Sequence, residues 1–214
     1  MTTAIIGGTG LDRLAGLDVT REHAVATPYG ETSSSVLEGR VAGGDHALLF
    51  LHRHGGRGRP VPPHLVNYRA NLWALRELGA TRIVAANAVG AINPLMRPGR
   101  LVVPDQLIDY TWGREHTFDD GSSGELLHVD FTQPFDPGLR RSVLEAARSA
   151  GVAVDDGGML AVVQGPRLET AAEVQRLARD GNDLVGMTTM PEASLARELD
   201  IVYAAVCMVV NAAA

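Results

Sequence analysis

One stretch organises the chain: Gly186-Met187-Thr188-Thr189-Met190-Pro191-Glu192. Residues 182–185 before it have the pattern of a short strand, and residues 192–199 have the composition of a helix. Thr189 and Glu192 predict a capping box, and Pro191 suits a first helical turn because it has no N–H to leave unbonded. The helix N-terminus therefore faces the strand end, where its free N–H groups favour an anion. An ordinary strand-to-helix turn is the alternative.

Composition limits what such a turn can do. The chain has 214 residues, of which 45% are hydrophobic, so we expect one domain over residues 1–214. Its net charge of -6 gives no broad cationic face for nucleic acid or an anionic membrane. All 19 basic residues are arginines, which excludes a P-loop lysine, a Schiff-base lysine and a pyridoxal-phosphate anchor. Any anion is therefore bound locally.

Cys207 is the one cysteine, and its apolar surroundings in the sequence are typical of a core residue. It can form neither an intrachain disulfide nor a thiolate zinc cluster. The N-terminus has no charged region ahead of an apolar segment, and no run of about 18 apolar residues occurs. We therefore expect a cytoplasmic protein.

Three more predicted strands end in small residues or hydrogen-bond donors. Residues 3–6 run into Gly7-Gly8-Thr9-Gly10, residues 46–51 into His52-Arg53-His54, and residues 81–86 into Asn87-Ala88-Val89-Gly90. The first is not the dinucleotide fingerprint, because the third glycine is missing. Glycine N–H groups and an arginine fork at strand ends suit an oxyanion, although each signal alone is unspecific.

The order of elements is that of an α/β fold. Helices are predicted at 64–78, 139–150 and 169–178, with further strands at 101–104, 106–110, 159–164 and 201–210 and a surface hairpin around 34–41. This alternation predicts a mostly parallel, mixed central sheet flanked by helices. The long irregular stretch 111–137 is typical of a lid or a subunit contact.

Two functions of other classes fit parts of the pattern. His52 and His54 have the spacing of metal ligands, and Asp105 or Asp109 could join them in a metal-dependent hydrolase. Further ligands cannot be placed, so no metal is expected. Alternatively, the glycine-rich strand ends bind a phosphate group without turnover, in a non-catalytic nucleotide-binding module.

Six motifs occur in order: Ile6-Gly7-Gly8-Thr9-Gly10-Leu11, Arg53-His54-Gly55, Val66-Asn67-Tyr68-Arg69-Ala70-Asn71, Asn87-Ala88-Val89-Gly90, Gln164-Gly165-Pro166-Arg167 and the stretch at 186–192. In this order they resemble the trimeric nucleoside phosphorylase family, most closely its members that act on S-methyl-5′-thioinosine and 5′-methylthioadenosine. The resemblance extends from residue 4 to residue 211. It implies a nucleoside phosphorylase-like domain and a homotrimer.

The resemblance also implies a reaction. Inorganic phosphate, as co-substrate, cleaves the glycosidic bond of a purine nucleoside and gives free purine and a ribose 1-phosphate. An oxocarbenium-like sugar then needs a held dianion and help for the departing purine, but no cofactor, metal or covalent enzyme nucleophile. By the same resemblance, phosphate is held by Gly7, Thr9, Arg53, His54, Ala88 and Thr188. Met187 packs under the ribose, and His54 and Asn211 are the catalytic candidates.

Two residues are predicted to bind the purine base. Asn211 stands where adenine-preferring members have an acid. Its amide N–H can donate to a 6-oxo group, and its amide oxygen can accept a hydrogen bond from the proton that arrives on the imidazole ring of the purine. Glu169 replaces a neutral residue, and a carboxylate accepts from N1–H of a 6-oxopurine but opposes the lone pair of adenine N1. Both predict hypoxanthine or guanine. The alternative is that Glu169 only caps its helix and Asn211 only ends a strand.

The remaining substrate contacts are implied by the resemblance alone. Leu168, Val89 and Gly90 lie in the substrate-binding motifs, and His128 matches a segment that a neighbouring subunit lends to the 5′ end of the nucleoside. Met190 and Asn211 favour a 5′-methylthio substrate, S-methyl-5′-thioinosine, over plain inosine. Inosine or guanosine, and methylthioadenosine, are the alternatives.

The chain also departs from the family pattern. Residues 56–59 carry arginines where many members have a histidine, Asn87 replaces a common threonine, and Leu168 replaces a common aromatic residue. The sequence ends at Ala214, before the C-terminal helix with which the family covers its site. Either the chain continues beyond these residues or its cleft closes differently.

Overall fold

The computed structural model describes residues 1–11, 13–41, 44, 46–55, 60–122, 124 and 126–214. Its strands are β1 (Thr2–Gly7), β2 (Leu17–His23), β3 (Val36–Val41), β4 (Ala47–His52), β5 (Ala80–Ala91), β6 (Leu101–Val103), β7 (Gln106–Asp109), β8 (Val154–Asp156), β9 (Met159–Val162), β10 (Leu184–Gly186) and β11 (Val202–Ala212). Its helices are α1 (Tyr68–Glu77), α2 (Pro137–Ser149), α3 (Ala171–Arg179) and α4 (Thr189–Glu198), and Pro63–Leu65 form a short 3-10 helix. None of the helices described is long and apolar enough to cross a membrane.

The strands form one mixed sheet with β5 at its centre. The main path runs β2-β3-β4-β1-β5-β10-β9-β7, and β11, β6 and β8 continue from β5 along a second path. Pairing is parallel among β4, β1, β5 and β11, among β10, β9 and β7, and between β6 and β8. It is antiparallel in the β2–β3–β4 meander, between β5 and β10, and between β6 and β11. The mostly parallel α/β sheet predicted from the order of elements is confirmed.

The core is built on the central strands. Ile6 of β1, Leu51 of β4 and Ile83 of β5 are completely buried, as parallel strands covered on both faces require. Helix α1 buries Leu72 and Leu75 on its inner side and packs against α4, which in turn packs on β11. These contacts fix the directions in which the ends of β1, β4, β5 and β11 point.

Two predicted boundaries are wrong because pairing and capping extend over neighbouring residues. The strand predicted at residues 81–86 does not end at residue 86. It continues through Ala91 because β11 pairs with it along this length, so the motif 87–90 lies inside β5. Helix α1 begins at Tyr68 rather than at residue 64, since the Asn67 side chain accepts from Ala70 N and caps the helix there.

The predicted capping box at the start of α4 is also wrong. Met190 has an extended backbone, with φ −107° and ψ 133°, which interrupts the first turn. The carboxylate of Glu192 turns away from the helix end and binds Arg53. A charged partner in the protein interior has displaced a local backbone contact.

The described residues between β7 and α2 contain neither helix nor strand, as predicted for the long irregular stretch. Aromatic packing holds this stretch on the domain: the ring of Phe118 lies 5.1 Å from that of Tyr29 and 6.0 Å from that of Trp73, centroid to centroid. Arg114 from the same stretch is buried. The stretch is therefore a packed part of the structure.

Candidate active site

A cavity of about 520 Å³ lies where β1, β4, β10 and β11 end, beside the second half of β5. The strand β1 lies between β4 and β5 in the sheet, so segments distant in the sequence meet there. The volume suits a small organic molecule. Among the lining residues are most of those singled out in the sequence: Thr9, Arg53, His54, Ala88, Val89, Gly90, Leu168, Glu169, Met187, Thr188 and Asn211.

A buried ion pair lies against this cavity. Arg53, directly after β4, donates from Nε to Glu192 Oε1 at 2.6 Å and from Nη2 to Glu192 Oε2 at 2.9 Å, and both side chains are 0% exposed. The Tyr203 hydroxyl donates to Glu192 Oε2 at 2.8 Å, and Arg53 Nη1 donates to the Ala86 carbonyl at 3.0 Å. The additional hydrogen bonds offset part of the desolvation cost of the two buried charges.

Neighbouring groups keep Arg53 charged and hold the pair in place. Burial by itself would lower the pKa of Arg53, but the Glu192 carboxylate outweighs burial and the pKa is raised. Burial, and then the charge of Glu192, raise the pKa of Tyr203, so the phenol keeps the proton that it donates. Gly8 leaves room for the guanidinium, because a Cβ there would lie 2.4 Å from the Ala86 oxygen and 2.9 Å from Arg53 Nη1.

The arrangement leaves donors for an occupant of the cavity. A guanidinium has five N–H groups, and the bonds to Glu192 and Ala86 use three of those on Arg53. The hydroxyl of Thr188, nearly buried, donates to Asn87 Oδ1 at 3.0 Å, which fixes its rotamer beside the cavity. The remaining N–H groups of Arg53 suit an oxyanion, and the Thr188 hydroxyl can bind it as well once its bond to Asn87 is exchanged.

His54 adds an acceptor. Its Nδ1 lies 2.9 Å from the carbonyl oxygen of Val61. Because a carbonyl only accepts, Nδ1 carries the hydrogen and Nε2 of the neutral ring can accept a hydrogen bond. The pKa of His54 is lowered from its ordinary 6.5, mainly by burial, and the charge of Arg53 lowers it further. The neutral ring is therefore favoured at neutral pH.

Glu169 brings an unpaired acceptor from the segment before α3. Its Oε1 is buried and has no hydrogen-bond partner among the described residues. The cap of α3 is Thr170, which forms a capping box with Glu173, so the alternative that Glu169 only caps the helix is wrong. A buried carboxylate oxygen without a donor is costly, and a donor from a ligand would relieve that cost.

Asn211 and Leu168 border the same cavity. Asn211, in β11, is exposed and donates from Nδ2 to the Ala212 carbonyl at 2.7 Å. Its Oδ1 accepts from none of the described residues, so this oxygen is open to a ligand. Leu168 is 72% exposed, which places an apolar side chain at the opening of the cavity.

Met187 packs directly on the backbone of Gly165. A Cβ at Gly165 would lie only 2.5 Å from Met187 Sδ, and the φ of Gly165 is +59°, in the left-handed region that favours glycine. The turn that carries Met187 and the segment that leads to Glu169 are therefore in van der Waals contact.

Some predicted residues lie elsewhere. Gly7 is buried behind the cavity, where its carbonyl accepts from Arg53 N at 3.0 Å. His128 is exposed and does not line the cavity of its own chain. The altered loop at 56–59 lies outside the described residues.

No group of three or more His, Cys, Asp or Glu that could hold a metal ion occurs in the part of the chain that the structure describes, so the hydrolase alternative has no ligand set there.

Two groups beside the site were missed in the sequence. The position of Glu192 predicts a helix cap, and no local signal marks its partner, because Arg53 lies 139 positions away in the sequence. Arg114, from the irregular stretch, binds the backbone of the turn that carries Met187. No local signal marks Arg114, because its partners are backbone carbonyls from distant segments.

Comparisons with known proteins agree with this geometry. A model of the Phosphorylase superfamily matches residues 2–214. The chain is 52% identical over 211 residues to a probable S-methyl-5′-thioinosine phosphorylase of Xanthomonas campestris, covering 99% of this chain and 83% of that protein. It is 47% identical over 216 residues to the 6-oxopurine nucleoside phosphorylase of Pyrococcus furiosus, covering 99% and 79%. A crystal structure of a mutant adenosine/methylthioadenosine phosphorylase from Schistosoma mansoni, in complex with methylthioadenosine, has a TM-score of 0.93 at 37% identity, covering 99% of this chain and 80% of that one.

Breaking the buried ion pair should destabilise the protein strongly. Glu192→Gln keeps the shape but leaves the Arg53 charge without a counter-ion, and we expect a loss of about 3–5 kcal/mol in the free energy of unfolding. Tyr203→Phe removes one hydrogen bond and leaves the ion pair, so about 2 kcal/mol is expected. Urea unfolding measures both, and equal losses in the two variants would contradict the central place of the pair.

The low pKa of His54 predicts a pH dependence of stability. Below pH 6.5 the unfolded chain takes up a proton at this residue before the folded protein does. Stability from His54 is therefore complete above that pH and falls as the pH drops toward the lower pKa of the folded state. The thermal midpoints at about pH 7.5 and about pH 5.5 should differ more in the wild type than in His54→Gln. The same difference in both proteins would show that His54 does not contribute to the pH dependence of stability.

Proposed function

Because this chain belongs to the Phosphorylase superfamily, we propose that it catalyses phosphorolysis of a 6-oxopurine nucleoside, with S-methyl-5′-thioinosine as its main substrate. The products are hypoxanthine and 5-methylthioribose 1-phosphate, which makes the enzyme a pentosyltransferase of purine salvage. One observation carries the choice of base: the buried, unpartnered Oε1 of Glu169 at the cavity. Relatives whose names specify S-methyl-5′-thioinosine and 6-oxopurine nucleosides support it.

The base is selected by complementarity at its N1. A 6-oxopurine carries hydrogen on N1 and donates it to the Glu169 carboxylate. Adenine has a lone pair at N1, so the same carboxylate would face an acceptor and stay unpaired. The purine leaves with a proton at N7, which balances the proton that the phosphate loses when it bonds to C1′. The Asn211 side chain lies at the same cavity, and its oxygen accepts a hydrogen bond from that N7–H.

The reaction itself is a displacement at the anomeric carbon. The C1′–N9 bond breaks and its electron pair passes to the purine, while a phosphate oxygen forms a new bond to C1′. Positive charge develops on the sugar between the two events. The bound phosphate stabilises that charge electrostatically, and Met187 supplies an apolar surface under the ribose.

Phosphate is assigned to the part of the cavity around Arg53. The remaining N–H groups of Arg53 and the hydroxyl of Thr9 serve as donors, together with the backbone at Ala88. The Thr188 hydroxyl joins them by exchanging its hydrogen bond to Asn87 for one to the anion. Gly7 contributes indirectly, because its carbonyl accepts a hydrogen bond from Arg53 N and so holds the arginine backbone in place. His54 orients the anion, since its neutral Nε2 accepts from a protonated phosphate oxygen.

The 5′ end of the nucleoside is assigned to the apolar wall formed by Pro60–Pro63, completed by His128 of a neighbouring copy in a homotrimer. Exposed apolar side chains in the irregular stretch, Trp112 at 72% and Leu126 at 80%, support burial against another copy.

Light scattering of the purified protein should give about three chain masses, and a monomer that retains full activity would contradict this arrangement.

The same proposal includes no cofactor other than the co-substrate phosphate, and a cytoplasmic location. A glycosyl transfer to phosphate needs no redox group, and a chain with one buried cysteine is suited to a reducing compartment. Full activity after treatment with a chelator is expected, and cell fractionation checks the location.

A substrate panel tests the proposed activity. In phosphate buffer we expect release of hypoxanthine from S-methyl-5′-thioinosine to be fastest, inosine to be slower, and adenine release from methylthioadenosine slowest. Base release is followed by ultraviolet absorbance, and a parallel reaction without phosphate is the control. Faster turnover of methylthioadenosine would refute the choice of base, and binding without any turnover would favour a non-catalytic nucleotide-binding module.

Exchanging the two base contacts should change the preference. Glu169→Ser with Asn211→Asp removes the acceptor for N1–H and supplies an acid that can hydrogen-bond a 6-amino group. We expect the ratio of kcat/KM for 6-oxo over 6-amino substrates to fall by at least about 30-fold. Each lost contact is worth about 1–3 kcal/mol, so the two together amount to at least about 2 kcal/mol. Glu173→Ser, on the same segment, is the control. A double variant that keeps the wild-type ratio would show that base selection lies elsewhere.

A further inference from the structure

Arg114 makes an unusual set of contacts for a residue from an irregular stretch. Its Nη1 donates to the carbonyl oxygens of Met187 at 2.9 Å and Met190 at 2.5 Å. Its Nη2 donates to the carbonyl of Gln164 at 2.9 Å, and its Nε to the Gln164 side-chain oxygen at 3.2 Å. Tyr68 lies under the guanidinium, 5.5 Å from ring centroid to Cζ. One side chain therefore binds three separate segments.

The charge of Arg114 is compensated differently from that of Arg53. Among the described residues its hydrogen-bond partners are carbonyl, amide and phenol oxygens, and no carboxylate bonds to it directly. Only 9% of the residue is exposed, and burial lowers the pKa of its guanidinium. The charges of Asp109 and Glu192 act on the guanidinium without a hydrogen bond to it, and burying a cation without a bonded counter-ion is costly. A structural role for such a group is to hold the backbone segments that supply its carbonyl partners.

The segments held by Arg114 carry both halves of the cavity. Met187 and its neighbour Thr188 belong to the turn assigned to ribose and phosphate, whereas Gln164 begins the segment that leads to Glu169. The two segments touch where Met187 packs on Gly165. Arg114 bonds the carbonyls on both sides of that contact, and so sets the distance between the two segments.

We propose that Arg114 is a positioning residue that fixes the spacing between the base-binding carboxylate of Glu169 and the turn at Met187 and Thr188. This inference rests on the proposed function, because it assigns base and sugar to those two segments. A planar guanidinium can reach carbonyls on several sides at once, whereas a lysine ammonium is a single point with three donors. Retaining the charge is therefore insufficient to keep the spacing.

The test compares two arginine-to-lysine variants. Arg114→Lys keeps the charge and loses the fork. Arg140→Lys is the control, because Arg140 also binds two backbone carbonyls, those of Pro104 at 2.8 Å and Val103 at 3.1 Å. Arg140 differs from Arg114 in its additional ion pair with Asp156, and neither it nor its partners line the cavity. Thermal midpoints are measured for both, together with kcat and KM for S-methyl-5′-thioinosine and for phosphate.

We expect Arg114→Lys to lower kcat/KM for the nucleoside by about 10- to 100-fold, the loss that a displacement of about 1 Å can cause. Its preference for 6-oxo over 6-amino substrates should fall as well, because the carboxylate no longer meets N1. Arg140→Lys should stay within about twofold of the wild type in kcat/KM, even with a similar drop in thermal midpoint. In Arg114→Ala, millimolar guanidinium should restore part of the activity, whereas Arg140→Ala should not respond.

Activity of Arg114→Lys within about twofold of the wild type would overturn the inference, as would equal losses of activity in both lysine variants. A wild type that turns over none of the nucleosides would instead refute the proposed function. In that case calorimetry with hypoxanthine and with phosphate still decides the role of Arg114. Weaker binding of hypoxanthine in Arg114→Lys but not in Arg140→Lys would support it, and unchanged binding in both would overturn it.

Discussion

The structure depends on the buried pair of Arg53 and Glu192. The pair joins the end of β4 to α4, and through Tyr203 and Ala86 it also reaches β11 and β5. Two charges removed from water are tolerated only when geometry and further hydrogen bonds are good. That requirement forces four elements into one register, and the cavity lies where they meet.

Polar groups beside the cavity fall into two kinds. The oxygens of Glu192, the Thr188 hydroxyl and Nδ1 of His54 have partners within the chain, which fixes their orientation. Glu169 Oε1, Asn211 Oδ1 and the remaining Arg53 N–H groups have none among the described residues. Since buried polar groups are normally paired, the unpaired Glu169 oxygen and Arg53 N–H groups indicate where a ligand supplies the partner, whereas the exposed Asn211 oxygen is open to water as well as to a ligand. Their positions suit a purine at one end and an oxyanion at the other.

The irregular stretch between β7 and α2 also has a structural role. Phe118 packs it onto the domain, and Arg114 ties it to the backbone on both sides of the cavity. The stretch thereby holds the segments that line the site, while Trp112 and Leu126 remain exposed. Loops that carry function are often held in this way by a few buried polar anchors.

The sequence by itself determined the α/β class, the glycine, arginine and threonine motifs and the family they resemble, because turn residues and strand patterns act over a few positions. Only the tertiary structure decided what Glu192, Arg114 and the motif at 87–90 do. Glu192 had a local partner available in the predicted capping box, yet it binds an arginine 139 positions away in the sequence. In the low dielectric of the interior a full opposite charge outweighs a solvent-accessible cap. Pairing with β11 likewise extends β5 beyond residue 86, where the strand was predicted to end. Such long-range partners leave no trace in local composition, so folding alone reveals them.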